Sequence, residues 1–370
     1  MASDRGHVSA PDHEPTQPCE PGEGMIDIPF TVEPNYDGWR LDRYLREKLR
    51  RLSRTRVQRI IQNELVQEEG HVLKPSTLVR RGMTFRLRRK AQAEPETPAE
   101  LPELYRDDVL IVFDKPAGLP IHPSARYFHG TLVGRVKELY GADFQADPAH
   151  RLDRETSGIV VCARDTETSR RLMRLFAGRD VHKEYVAVVE GAPPEDAFEV
   201  DAPIAEGTEL IRIAVRIDRE VGKPARTRFR VLHRFERDGE RFALLRCFPV
   251  TGRQHQIRIH LQLAGFPIVG DKMYGPDSGY FDRFSRHCLE EEAWARLRLP
   301  RHALHAARIS FPHPSTGKEL VVEAPLPGDL EDFLAGRPLS DPRPSWARQV
   351  RPRAEPEGLV EADHPAPVSR

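Results

Sequence analysis

Apolar residues recur every fourth position at Leu41, Leu45 and Leu49, one stripe of a helix that leaves Arg43, Arg46 and Arg50 on the opposite side. Ser53 then stands as a cap before Val57, Ile60, Ile61 and Leu65 at helical spacing, with Arg59 pointing away from that stripe. The pattern changes in LVQEEGHVLKPSTLVRRGMTFRL, which alternates through short strands with turns at Glu69-Gly70, Lys74-Pro75 and Arg81-Gly82. Two helices and a small sheet are the expectation for this stretch.

Farther along, Val109 to Phe113 and Gly158 to Ala163 are apolar runs of strand length, and Thr131 to Leu139 reads as a helix. Thr166 is expected to cap a helix carrying Leu172, Leu175 and Phe176 that ends at Gly178. HKEYVAVVEG reads as a strand, and Arg226 to His233 with Phe242 to Pro249 as an antiparallel pair. In TGRQHQIRIHLQLAG, Thr251 and Gln254 fit a capping box, which would put Arg253, His255 and Arg258 in the first two turns of a helix stopped by Gly265. Strands outnumber crossover helices, so an α+β fold with a mixed, largely antiparallel central sheet is expected.

Composition sets the outer limits. The 370 residues suffice for two domains, and 31% charged residues describe a soluble chain. No apolar run approaches the ~20 residues of a bilayer crossing, and the first residues lack an apolar signal region, so a cytoplasmic protein is expected. Cys19, Cys162, Cys247 and Cys288 have no CxxC spacing, against both a disulfide framework and a structural zinc site. His255 and His260 lie five apart rather than four, and His302 with His305 is no better spaced, so no metal is expected. Pro-rich stretches divide the chain into a disordered tail (1–25), a small domain (26–90), a stiff acidic linker (91–103), a large domain (104–330) and a disordered Pro-rich tail (331–370). No extra apolar helix asks for a partner, so a monomer is expected.

The net charge of zero hides an asymmetry. Between Tyr36 and Lys90 stand 16 Lys and Arg against 6 Asp and Glu, a surplus of ten that suits a polyanion. A solvated charged face is the plainer reading. Two helices, a small sheet and outward arginines, carried by RLDRYL, LSRTRVQRII and GMTFRL, resemble the S4-type RNA-binding domain, a small α/β unit. The chain departs from that pattern at Glu68-Glu69-Gly70, where the family commonly has Asn before Gly.

HRLDRETSG, residues 150 to 158, packs five charged or titratable side chains against the start of a buried strand. A turn held by salt bridges would explain the charge, and Arg151 paired with Glu155 is one such reading. Together with DKPAGLPIHP, HKEYVAVVEG, TGRQHQIRIHL and LHAARISFPHP, in that order, it resembles the motifs of the RluA family of RNA pseudouridine synthases over residues 105 to 327. Glu155 stands where that family commonly has Asp, and Gln254 where it has Thr or Ser.

The resemblance implies an isomerase that converts uridine to pseudouridine in structured RNA, with no cofactor and no metal. Asp153 matches the catalytic carboxylate, Arg258 its cationic partner, and Tyr185 the aromatic ring against the flipped base. Arg151 matches the residue that enters the RNA stack, and Arg253 and His255 are taken with Arg43, Arg46, Arg50 and Arg59 as RNA contacts. Large-subunit ribosomal RNA is the expected target, with transfer RNA, or a silent RNA-binding assembly factor, as alternatives. A nucleoside-cleaving hydrolase would want two carboxylates in acid and nucleophile roles, and only Asp153 has a match.

Overall fold

The computed structural model describes residues 25–49, 53–66, 73–90, 94–124, 127–207, 214–277, 279–285 and 288–338. The chain splits into two compact units at Glu94/Pro95.

In the N-terminal unit, β1 (Met25–Thr31) is followed by α1 (Leu41–Lys48), α2 (Arg54–Asn63), β2 (Leu65–Val66) and β3 (Thr84–Lys90). The strands form one antiparallel sheet in the order β1-β3-β2. Leu41 and Leu45 from α1 meet Val57 and Ile61 from α2 over Phe85 of β3, which is the apolar stripe read from the sequence. Ser53 caps α2 as expected, accepting from the Arg56 N–H. Arg43, Arg46 and Arg59 are exposed, and Arg43 lies over the Trp39 ring at 4.0 Å. Arg50 and the Glu69-Gly70 turn lie outside the described residues.

The C-terminal unit opens with β4 (Glu103–Arg106), β5 (Leu110–Lys115), α3 (Leu132–Tyr140), β6 (Asp147–Pro148), β7 (Ser157–Ala163) and α4 (Thr166–Gly178). It continues through β8 (His182–Glu190), β9 (Ala197–Asp201), the small hairpin of β10 (Ile204–Glu206) and β11 (Val215–Ile217), β12 (Arg226–Arg237), β13 (Glu240–Pro249) and α5 (Gln256–Leu263). It closes with α6 (Tyr280–Ser285), α7 (Glu291–Leu297), β14 (Leu304–Pro312), β15 (Glu319–Glu323) and α8 (Gly328–Ala335). Ten strands make one mixed sheet with the path β4-β5-β7-β14-β8-β13-β12-β9, and β7 with β14 is the one parallel pair among the described residues. The largely antiparallel sheet is as expected.

Three features differ from the sequence reading. Asp165, not Thr166, caps α4 by accepting from the Thr168 N–H, and Arg179 rather than a glycine takes the left-handed position after the helix. The Thr251/Gln254 capping box does not form. Instead the Gln256 side chain accepts from the Thr251 hydroxyl at 2.7 Å and from the Arg253 N–H at 3.0 Å, so α5 starts later and excludes Arg253 and His255. The expected boundaries also move: Leu101 is buried in the C-terminal core, and α8 runs past residue 330 because Leu330 and Phe333 are buried against β13 and its neighbours.

Candidate active site

The loop 150–156 is anchored at both ends. The backbone N–H of Val161 donates to His150 Nε2 at 3.1 Å, and the ring stacks on Phe176 of α4. Leu152 is buried in the cluster between β5, β7 and α3. Lys115, fully buried at the end of β5, donates to the carbonyls of Pro116, Leu119 and Arg154, tying the loop after β5 to the one before β7. Gly158 pairs with Ala306 of β14 at φ 105°, and a Cβ there would sit 2.2 Å from the Ala306 carbonyl oxygen. Only glycine brings the two backbones this close.

This anchoring delivers Asp153 to the first turn of α5. Arg258 Nη1 donates to Asp153 Oδ2 at 2.9 Å, and His255 Nε2 lies 3.5 Å from Oδ1. Burial alone would push the Asp153 pKa up, but His255 and Arg258 oppose it and the carboxyl is held at about 2. His255 is itself held at about 4, chiefly by burial, so at neutral pH it is uncharged and Arg258 supplies the cation.

Arg258 is fixed from behind by a residue that sequence reasoning missed. Its Nε and Nη2 donate to Asp271 Oδ2 and Oδ1 at 2.6 and 2.8 Å, a two-pronged pair that raises the Arg258 pKa and lowers that of the fully buried Asp271. Asp271 also accepts from the N–H groups of Met273 and Tyr274. Its signal is a lone acid one glycine beyond the apolar run Phe266 to Val269. A second buried pair lies alongside: Lys272 Nζ donates to Glu155 Oε2 at 2.9 Å, with His302 Nδ1 3.8 Å from the same oxygen. Glu155 is thus taken by Lys272 and Arg154, and the Arg151–Glu155 salt bridge does not form.

Asp153, Tyr185, Arg258 and His255 line a common cleft of about 920 Å³, within the ~300–1,000 Å³ usual for small-molecule sites. Tyr185 sits mid-strand in β8, opposite Cys247 on one side and Ala306 on the other, and packs on two core clusters while keeping a face to the cleft. Burial and then the Asp153 charge raise its phenol pKa, so it is protonated at neutral pH. Arg151 and Arg253 line the cleft and are exposed, and His255 lines it too, half-buried beside Asp153. Arg43, Arg46 and Arg59 belong to the other unit. Among the described residues no group of three or more His, Cys, Asp or Glu is arranged to hold a metal, and no helix is long and apolar enough to cross a membrane.

Residues 109–263 match the family model described as RNA pseudouridylate synthase. The chain is 36% identical to ribosomal large subunit pseudouridine synthase D of Nitrosomonas europaea, over 83% of its own length and 87% of the relative's. It is 33% identical to ribosomal large subunit pseudouridine synthase C of Escherichia coli K12, over 80% and 92%. Among solved structures it is similar to human RNA pseudouridylate synthase domain containing 4, with 28% identity, a TM-score of 0.49, and coverage of 63% of this chain and 91% of that one. Relatives at 33–36% identity over 80% or more of the chain, together with the family model, place the protein in the RluA family of RNA pseudouridine synthases, isomerases that act on RNA.

Proposed function

We propose that this enzyme isomerises a uridine of large-subunit ribosomal RNA to pseudouridine, with Asp153 acting on the ribose. The observation that carries the assignment is the Asp153–Arg258 contact, which keeps the carboxylate ionised against the burial that would otherwise protonate it. The ribosomal target rests on the names of the relatives at 33–36% identity.

The chemistry requires breaking the bond between C1′ and N1, turning the uracil, and joining C5 to C1′. Asp153 either attacks C1′, displacing N1 and forming an ester, or removes the C2′ proton; both routes begin from the ionised carboxylate. After C5 bonds to C1′, the C5 proton leaves and N1 gains one, so atoms and charge balance with no redox partner. Tyr185 stacks on the base, and because its phenol stays protonated it relays the C5 proton rather than simply accepting it. Arg151 at the rim fills the place of the extruded nucleotide, offsetting the few kcal/mol that unstacking costs.

The N-terminal unit acts as an S4-type RNA-binding domain, a reading supported by its α1–α2 pair with exposed Arg43, Arg46 and Arg59. The enzyme works as a monomer without metal or cofactor. The test is incubation of the purified protein with large-subunit ribosomal RNA and with transfer RNA, followed by carbodiimide mapping and mass spectrometry. A new carbodiimide-reactive uridine in the ribosomal RNA, with RNA mass unchanged, is expected. Release of uracil would instead indicate hydrolysis, and unaltered RNA a silent binder.

A further inference from the structure

We propose that His255 is a positioning residue for Asp153, locked by Tyr274 in the neutral tautomer that directs an Nε2–H at the carboxylate. The inference rests on the reading of Asp153 as the group that acts on the ribose.

His255 occupies the turn just ahead of α5 with φ 52° and ψ 18°. A residue other than glycine holds this left-handed conformation only where its surroundings impose it, and such strain gathers at functional sites. Here it aims the ring between two partners. Nδ1 lies 3.0 Å from the Tyr274 hydroxyl, and Nε2 lies 3.5 Å from Asp153 Oδ1. The groups that face it are Arg151 and Asp153 from the 150–156 loop, Arg258 from α5, and Asp271 and Tyr274 from the turn beyond it.

Hydrogen-bond accounting selects the tautomer. The Val215 N–H of β11 donates to the Tyr274 oxygen at 2.7 Å, which occupies that oxygen as an acceptor. The Tyr274 proton then has two destinations, the Val215 carbonyl at 3.4 Å or His255 Nδ1 at 3.0 Å, and the nearer one wins. An imidazole that accepts at Nδ1 carries its single proton on Nε2. The opposite tautomer would set the bare Nε2 lone pair against an ionised carboxylate. In this tautomer Arg258 donates to Asp153 Oδ2, and the His255 Nε2–H faces Oδ1 at 3.5 Å as an electrostatic contact. The 3.5 Å separation is long for a hydrogen bond, as catalytic contacts often are before substrate tightens them. The consequence is that Arg258 holds Oδ2 while the His255 N–H, drawn in when substrate closes the cleft, sets the rotation of Oδ1.

The tautomer is read directly by long-range proton–nitrogen NMR of the full-length enzyme labelled with ¹⁵N-histidine at neutral pH. A bare Nδ1 and a protonated Nε2 at His255 are expected, with the preference lost in Tyr274→Phe. A protonated Nδ1 in the unsubstituted enzyme overturns the proposal without reference to activity. Single-turnover rates at saturating RNA supply the second arm. His255→Ala should slow the reaction roughly tenfold or more through misplacement of the carboxylate, with RNA affinity nearly unchanged. His255→Gln, which offers an N–H near the same reach, should recover most of the rate. A His255→Ala enzyme that keeps its rate but loses RNA affinity makes the residue an RNA contact, and failure of Gln to restore the rate makes it merely structural; either result overturns the proposal. An unsubstituted enzyme that modifies no RNA would count against the proposed function, while the tautomer measurement would still decide the local geometry.

Discussion

Asp271 holds Arg258 through both carboxylate oxygens, leaving Nη1 as the nitrogen that serves Asp153. Breaking a buried pair from one side typically costs about 3–5 kcal/mol, because the remaining charge is stranded. Asp271→Asn should lose stability toward the lower end of that range in urea unfolding, because Arg258 keeps Asp153 as a partner. It should also slow single-turnover isomerisation, since Arg258 is free to swing away from Asp153. A variant that is destabilised yet fully active would mean that Asp153 and the wall of α5 hold Arg258 unaided.

Asp153→Asn keeps the shape of the carboxylate and removes its charge. Arg258 retains Asp271, so the cleft should stay intact and RNA affinity should remain within a few fold. Turnover should vanish, because an amide neither attacks C1′ nor takes the C2′ proton. Carbodiimide mapping after prolonged incubation checks this, and residual product would remove Asp153 from the chemistry.

Tyr185→Phe preserves the ring that packs between the two core clusters and deletes only the hydroxyl. Stability and RNA binding should be nearly unchanged, while isomerisation should stall after the base has been detached. Full activity would leave Tyr185 as a packing residue in β8.

The buried histidines predict a fall in stability on mild acidification. His302 is held at about 3, first by burial and then by the Arg258 charge, and His305 at about 4, mainly by burial, against an ordinary value of 6.5. With folded pKa values depressed, the unfolded chain takes up protons first as pH drops below 6.5. Stability present above pH 6.5 is therefore lost progressively toward pH 4 and below, at roughly 1 kcal/mol per pH unit for each such group. Urea midpoints measured from pH 7.5 to 4.5 should decline, and His302→Gln should flatten the decline even if it lowers the starting value. A midpoint independent of pH across that range would contradict the burial of neutral imidazoles.

The parts of the site that were legible in the sequence are those with local signatures. The stripe of Leu41 and Leu45 and the wholly buried run of β7 are set by short-range periodicity, and each formed as read. Asp153, Tyr185 and Arg258 were marked by motif rather than by spacing, and they share one cleft although up to 105 positions separate them. Asp271, Lys272 and Tyr274 escaped notice because their meaning comes from partners reached only through the fold. Asp271 is isolated until α5 turns Arg258 toward it, and Lys272 until the loop turns Glu155 inward. The start of α5 was misplaced because two glutamines compete for Thr251, and tertiary placement gave the bond to Gln256.

The division of labour between the two units yields the last prediction. Arg46 and Arg59 are exposed on α1 and α2, and Arg43 stacks on Trp39, which limits its motion while leaving it at the surface. If these side chains meet phosphates, each contact contributes roughly 0.7 to 0.9 log units of affinity per log unit of salt. Changing Arg43, Arg46 and Arg59 to Gln should therefore weaken RNA binding and flatten the salt slope by about two to three units. The double variant that spares Arg43 and its stack should flatten it by somewhat less than two. Single-turnover rates at saturating RNA should barely move in either variant, because Asp153, Arg258 and Tyr185 all belong to the other unit. An unchanged slope in the triple variant would reduce the basic surface to a solvated face, leaving RNA capture to the cations around the cleft.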